Sequence, residues 1–239
     1  QSIEQTLDAL IVWRPSRISL FGYAHVPWMK PHQRLLDESL LPNTRERVIQ
    51  FTHAQAYLEE HGYEHLGLDH FVLPSDSLYQ AKRGGTLVRN FQGYDVHRGG
   101  DLISVGLSAI AQLGDTYIAN SRRLTDYYHH IERGQLPIER VYQRSLSERA
   151  IAQSINQVMC HEWLDLKAFS DQVGGQEVLY GEGLQSRIEE LIDDELVSLE
   201  GDILKVTRLG RLALRHVAAA LDPMLRQEET EGARFSSGL

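Results

Sequence analysis

Hydrophobic positions along the chain switch repeatedly between helical and strand spacing. In "QSIEQTLDALIVW" Ile3, Leu7, Leu10 and Ile11 line one helical face, Ser2 and Gln5 have the spacing of a capping box, and Pro15 marks the end. "RISLFGY" reads as a buried strand through Ile18, Leu20 and Phe21. "WMKPHQRLLDESLLPN", broken by Pro31 and Pro42, reads as an excursion over the strand end. Asn43 or Thr44 caps a helix running to about Glu60 and closed at Gly62. "HLGLDHFVLP" is a second strand signal, with Asp69 and His70 where the strand should give out. The helix "DSLYQAKR" stops at Gly84 and Gly85, Ile103, Val105 and Leu107 alternate as a strand would, "GLSAI" reads as a strand end passing into a loop, and "RRLTDYYHHIER" is helical. Helix and strand in alternation favour α/β units with a parallel sheet.

After "RGQLPIER" the texture changes. "SLSERAIAQSINQVMCHEWLDLKAF" has the spacing of one long amphipathic helix, and "GLQSRIEELIDDEL" of a second. "VSLEGDILKVT" gives two short strands turning at Glu200, Gly201 and Asp202, and "RLGRLALRHVAAALDPML" a last helix. Helix, helix, hairpin, helix is the order of a small winged-helix-like α+β module. The pattern divides the chain near Gly134, into residues 1–134 and 135–239, and leaves a polar, frayed tail after Arg226.

A chain of 239 residues has room for one or two cores. Its formal net charge of −9 opposes general binding to nucleic acid or to an anionic membrane surface. One cysteine, Cys160, excludes an internal disulfide framework, and a cysteine-held iron–sulfur cluster or four-cysteine zinc site made by this chain alone. A cytoplasmic location fits that usage. No apolar run approaches the roughly 20 residues needed to span a bilayer, and the N-terminus has neither the basic start nor the apolar middle of a signal peptide. It opens without Met directly into a helix pattern, which suggests a fragment of a larger fold.

The eleven histidines raise the question of a metal. His65 and His70 bracket one strand and His129 and His130 are adjacent on a helix, so neither pair gives ligands four apart on one face with a third indicated; no metal site is expected. Cys160 lies on an apolar helix face, the setting of an inert thiol. In the winged module Lys205, Arg208, Arg211 and Arg215 could form a basic edge, but Glu189, Glu190, Asp193, Asp194 and Glu195 on the preceding helix repel phosphate.

Two clusters remain. "AKRGGTLVRNFQGY" sets Lys82, Arg83 and Arg89 close to Asn90, Gln92 and Tyr94, a mixture suited either to a multiply carboxylated ligand or to a solvated hairpin. "YAHVP", with Tyr23, Ala24 and His25, falls with "GLDHF" and "GLSAI" at expected strand ends, where ligands of parallel α/β sheets and barrels bind.

In this order and spacing, "FGYAHVPWMKPHQR", "GYEHLGLDHFVLPSDSLYQA", "LVRNFQGY" and "VGLSAI" resemble the oxygen-independent coproporphyrinogen III oxidases, radical S-adenosylmethionine proteins of haem biosynthesis. The resemblance covers essentially the whole chain, and the related haem chaperones lack the Tyr-Ala-His-x-Pro and Arg-Asn-Phe-x-Gly-Tyr signatures. It implies an α/β fold in which residues 1–134 are the later strands of a partial (β/α) radical-SAM barrel and residues 135–239 the winged-helix-like domain. The family's CxxxCxxC cysteines, its Gly-rich cofactor contacts and a functional tyrosine lie upstream, so the [4Fe–4S] cluster would be held by a missing N-terminal part.

The resemblance implies that two propionates of coproporphyrinogen III are oxidatively decarboxylated to vinyls, with S-adenosylmethionine as the source of the radical and an electron donor as partner. By family match Ala24 contacts a second S-adenosylmethionine and Ile110 the radical-generating one. Tyr23, His25, Asp69 and His70 become neighbours in the pocket wall, and Arg89, beside Asn90, a candidate for a substrate carboxylate. Three readings stay open: the C-terminal part of such an oxidase, inactive by itself; a tetrapyrrole-binding or scaffold module without chemistry; and a winged-helix nucleic-acid binder.

Overall fold

The computed structural model describes residues 2–97, 100–173 and 177–222. The Ser2–Gln5 capping box and the tail after Arg226 lie outside the described side chains and residues. Helix α1 (Ser2–Trp13) buries Leu7 and packs Ile3, Leu10 and Ile11 on the same core, as its spacing requires. Strand β1 is shorter than expected, Arg17–Ser19, and buries Ile18 alone. Two 3-10 turns, Pro31–Leu35 and Glu38–Leu40, fill the excursion. Helix α2 (Thr44–Glu60) opens in a complete capping box: the Asn43 side chain accepts from Glu46 N–H at 3.0 Å and the Glu46 carboxylate accepts from Asn43 N–H at 2.8 Å. Its Phe51, Ala54 and Leu58 meet Leu7, Ile18, Tyr63 and Phe71 in the first core.

"HLGLDHFVLP" is two strands rather than one. Strand β2 (Glu64–Leu66) turns at Gly67, Leu68 and Asp69 into β3 (His70–Val72). Gly67 has φ +64°, and a Cβ there would lie 1.8 Å from the Tyr94 hydroxyl, so the turn requires glycine. Strand β3 sits between β1 and β2 and is antiparallel to both. Strands β1 and β2 therefore share a direction, as an α/β unit demands, but the parallel ladder expected between them is replaced by an inserted antiparallel strand. A three-residue turn has no length for a crossover, so β3 must run back along β2.

Helix α3 (Ser77–Arg83) starts at Asp76, which accepts from Leu78 N–H at 2.8 Å, and stops at Gly84. Strands β4 (Val88–Asn90) and β5 (Gly93–Asp95) form a two-stranded hairpin. Strands β6 (Ile110–Leu113) and β7 (Thr116–Asn120), helix α4 (Leu124–Glu132) and strand β8 (Ile138–Gln143) follow, with sheet order β6-β7-β8. The alternating Ile103, Val105 and Leu107 do not form a strand: Ile103 and Val105 are 79% and 89% exposed, and only Leu102 reaches a bridge, to Gln112. Alternation makes a strand only where a neighbour supplies the ladder. "GLSAI" accordingly is a loop entering β6 at Ile110, not a strand leaving into a loop.

The expected long helix also divides. Helix α5 (Leu146–His161) ends where Glu162 takes a left-handed conformation, φ +66°, and β9 (Trp163–Asp165) and α6 (Leu166–Val173) follow. Helix α7 (Glu177–Asp193), strands β10 (Val197–Glu200) and β11 (Ile203–Val206), and helices α8 (Arg208–Leu212) and α9 (Leu214–Ala219) complete a winged-helix-like unit with sheet order β10-β11-β9. Its core joins Val158, Leu164, Phe169, Leu191, Leu204 and Val217. Among the links that cross position 134, β8 pairs with β7, and Cys160 of α5 is buried with Leu66, Val72, Leu78, Leu87 and Tyr94. Among the described residues no helix is long and apolar enough to cross a membrane.

Candidate functional site

The best-built polar cluster lies where the β2–β3 turn meets the end of β1. Leu20 N–H donates to the Asp69 carbonyl at 2.8 Å, and the Ser19 hydroxyl donates to Asp69 Oδ2 at 2.7 Å. His70 Nδ1 lies 3.0 Å from Asp69 Oδ1. Burial pushes the Asp69 carboxyl up, but the hydrogen bonds from His70 and Ser19, with the charges of His70 and Arg89, outweigh it and hold the group below the ordinary carboxylate value. Asp69 is therefore ionised at neutral pH.

Tyr94 backs this cluster. Its ring stands edge-on to His70 at 5.2 Å, and its hydroxyl accepts from Leu68 N–H at 2.9 Å while donating to the Met159 carbonyl at 3.1 Å. Burial raises its pKa far above the usual phenol range, so it stays protonated. Arg89 is the cross-strand partner of Tyr94 and carries its guanidinium carbon 5.6 Å from the ring centre. Its Nε is buried and makes no hydrogen bond among the described residues. A buried N–H of this kind is costly unless an acceptor completes it. Asn90 is spent on the hairpin itself: its Oδ1 accepts from Gln92 N–H at 2.8 Å and its Nδ2 lies 3.3 Å from Asp95.

The "YAHVP" residues form a second cluster, on a loop past the end of β1 rather than at a strand tip. Tyr23 Oη is 3.4 Å from His25 Nδ1, and His25 Nε2 is 2.9 Å from Glu38. Gln33 clamps the loop, donating to the Ala24 carbonyl at 3.0 Å and accepting from Val26 N–H at 2.7 Å. Ala24 itself is exposed, which leaves its backbone open to close approach by a ligand. Ile110 is half-buried at the start of β6, paired with Ala119. Thus the structure unites Asp69, His70 and Arg89, groups Tyr23, Ala24 and His25 separately, and places Ile110 in a third sheet, which touches the Arg89 hairpin where the Tyr117 ring meets Phe91 at 5.1 Å.

Sequence reasoning missed Ser19 and undervalued Tyr94; a Gly inside the strand pattern "HLGLDHF" was the available signal of a turn that needs a backing group. Nor did it find the partner of Lys82, which lies 2.6 Å from Glu162 Oε1 while Arg211 Nε holds Oε2 at 2.7 Å. The Cys160 thiol, pushed up to about 12 by burial and 3.4 Å from Asn156 Oδ1, does not fit an iron–sulfur ligand, which must be a thiolate.

No family model matches the chain. It is 34% identical over 94% of its length to the oxygen-independent coproporphyrinogen III oxidase of Pseudomonas aeruginosa, of which it covers 49%. It is 32% identical over its full length to the oxygen-independent coproporphyrinogen III oxidase of Thermostichus vulcanus, of which it covers 73%. A solved coproporphyrinogen III oxidase from Escherichia coli, described as a radical SAM enzyme, superimposes with TM-score 0.82 at 30% identity over 92% of this chain and 51% of that one. The chain spans about half the length of most of these relatives.

Proposed function

The chain belongs to the oxygen-independent coproporphyrinogen III oxidases, and on that premise we propose that it supplies the substrate-anchoring part of an enzyme that oxidatively decarboxylates two propionates of coproporphyrinogen III to vinyls. The observation that carries this reading is the buried Nε of Arg89, without a hydrogen bond among the described residues, beside an ionised Asp69 held by His70 and Ser19. A guanidinium fork matches a carboxylate in two parallel hydrogen bonds. The fixed negative charge of Asp69 limits how many carboxylates can crowd the same spot, so one propionate is oriented there at a time. Holding the reacting side chain in place is the larger part of what a protein contributes to such cofactor chemistry.

S-adenosylmethionine, when bound, supplies the hydrogen abstraction from the propionate, and Ala24 and Ile110 are the residues proposed to hold it; the exposed, small Ala24 suits that task. The cluster finds no fitting ligand in this chain, and its binding is assigned to the N-terminal half of the polypeptide, with an electron donor as further partner. In this reading residues 1–134 are the later part of the barrel and residues 135–239 the C-terminal domain, which lends β8 back to the β6–β7 sheet. Neither nucleic acid nor membrane is a partner, and the protein acts in the cytoplasm.

The test is an anaerobic assay of the full-length enzyme. Arg89→Ala should raise KM for coproporphyrinogen III about 10- to 100-fold, the loss of a charge-assisted hydrogen bond. Unchanged KM and kcat in Arg89→Ala would remove Arg89 from the site. Stoichiometric coproporphyrinogen binding by a full-length protein that never forms vinyls would instead support a scaffold.

A further inference from the structure

We propose that Asn156, on helix α5 of the winged unit, is a positioning residue that fixes Arg89 from behind. This inference rests on the reading that Arg89 meets a substrate carboxylate. Asn156 Nδ2 donates to the Arg89 carbonyl at 2.7 Å, across 67 residues of sequence. Its Oδ1 accepts from the Cys160 thiol at 3.4 Å, one helical turn further on, which settles which end of the amide faces the strand. The other strand of the hairpin is fastened to the same stretch of α5, through the Tyr94 hydroxyl on the Met159 carbonyl at 3.1 Å.

The hairpin needs this anchorage. Among the described residues strands β4 and β5 pair only with each other, three residues on each side, and so small a ladder does not set its own orientation. Closure by Phe91 and Gln92 makes Asn90 and Gly93 the hydrogen-bonded pair nearest the turn, and Arg89 and Tyr94 the next, unbonded one. The Arg89 carbonyl therefore turns away from the ladder and takes its hydrogen bond from Asn156. Shifting that bond moves the strand, and with it the root of the guanidinium. The winged unit thus governs substrate placement through a side chain that touches no substrate.

Fluorescence titration of the full-length protein with coproporphyrin III, the oxidised and stable tetracarboxylate, tests this. Asn156→Asp keeps the shape and loses the donor; it should weaken coproporphyrin III about tenfold and raise KM without lowering kcat, while Gln153→Ala, exposed on the same helix, changes neither. In an Arg89→Ala background Asn156→Asp should have no further effect on binding, because both act on one contact. Asn156→Ala gives the same reading should the Asp variant not fold. Overturning results are an Asn156 effect that adds fully to that of Arg89→Ala, or unchanged binding in both Asn156 variants while Arg89→Ala weakens it. Unchanged binding in Arg89→Ala itself would fell the carboxylate reading and this inference with it.

Discussion

Two of the places where this chain sets a histidine beside a tyrosine, His70 with Tyr94 and His25 with Tyr23, are built by different means. His70 and Tyr94 stand on different hairpins, with Tyr94 only 8% exposed, and both are tied to residues 24 or more positions away. Tyr23 and His25 are two residues apart on a loop, with Tyr23 48% exposed and Glu38 as the outer partner of the imidazole. The first site has its geometry imposed by a core, and the second only by a loop that Gln33 clamps. Around Arg89 the groups are preorganised, whereas the Ala24 backbone is exposed.

The largest expected effect follows from that contrast. Gly67→Ala should destabilise the protein by about 3–5 kcal/mol, since its Cβ would overlap the Tyr94 hydroxyl and break two partly buried hydrogen bonds at a left-handed φ. Gly22→Ala, with no atom within 4 Å of the new Cβ, should change stability by less than about 0.5 kcal/mol. Thermal unfolding of the pair checks both; equal losses would mean that the two sites are equally rigid.

Glu162→Gln comes next, at about 2 kcal/mol. The carboxylate is buried and ties Lys82 of α3 to Arg211 of α8, though the partial exposure of both cations softens the loss expected of a buried pair. Burial pushes the Glu162 carboxyl up, but Lys82 and Arg211 prevail and hold it below its ordinary value. A lowered folded pKa gives stability that is present above the ordinary carboxylate pKa and lost as pH falls through the folded one. Acid titration of unfolding should therefore show a shallower acid limb in Glu162→Gln; an unchanged limb would remove this node as a source of acid sensitivity.

Ala24→Trp should affect stability least, by less than about 0.5 kcal/mol, because the side chain points into no core. In the full-length enzyme it should nonetheless abolish binding of one S-adenosylmethionine, measured by equilibrium dialysis. Two equivalents still bound would take Ala24 out of the site and leave the loop a surface feature.

Much of this was already legible in the chain, because it depends on neighbours in sequence. The face of α1, a cap at Asn43 or Thr44, the stop at Gly84, the turn at Gly201 and the family signatures are all patterns within a few residues, and side-chain spacing and capping chemistry act at that range. What the tertiary structure alone decided are partnerships across long separations: Ser19 with Asp69 over 50 residues, Arg89 with Asn156 over 67, and Lys82 with Glu162 over 80. The same holds for β3 entering between β1 and β2, and for Ile103 and Val105, whose alternation finds no ladder. A local pattern states that a residue prefers a strand or a buried face; which strand it pairs with is settled only when loop closure and core packing select one partner among many.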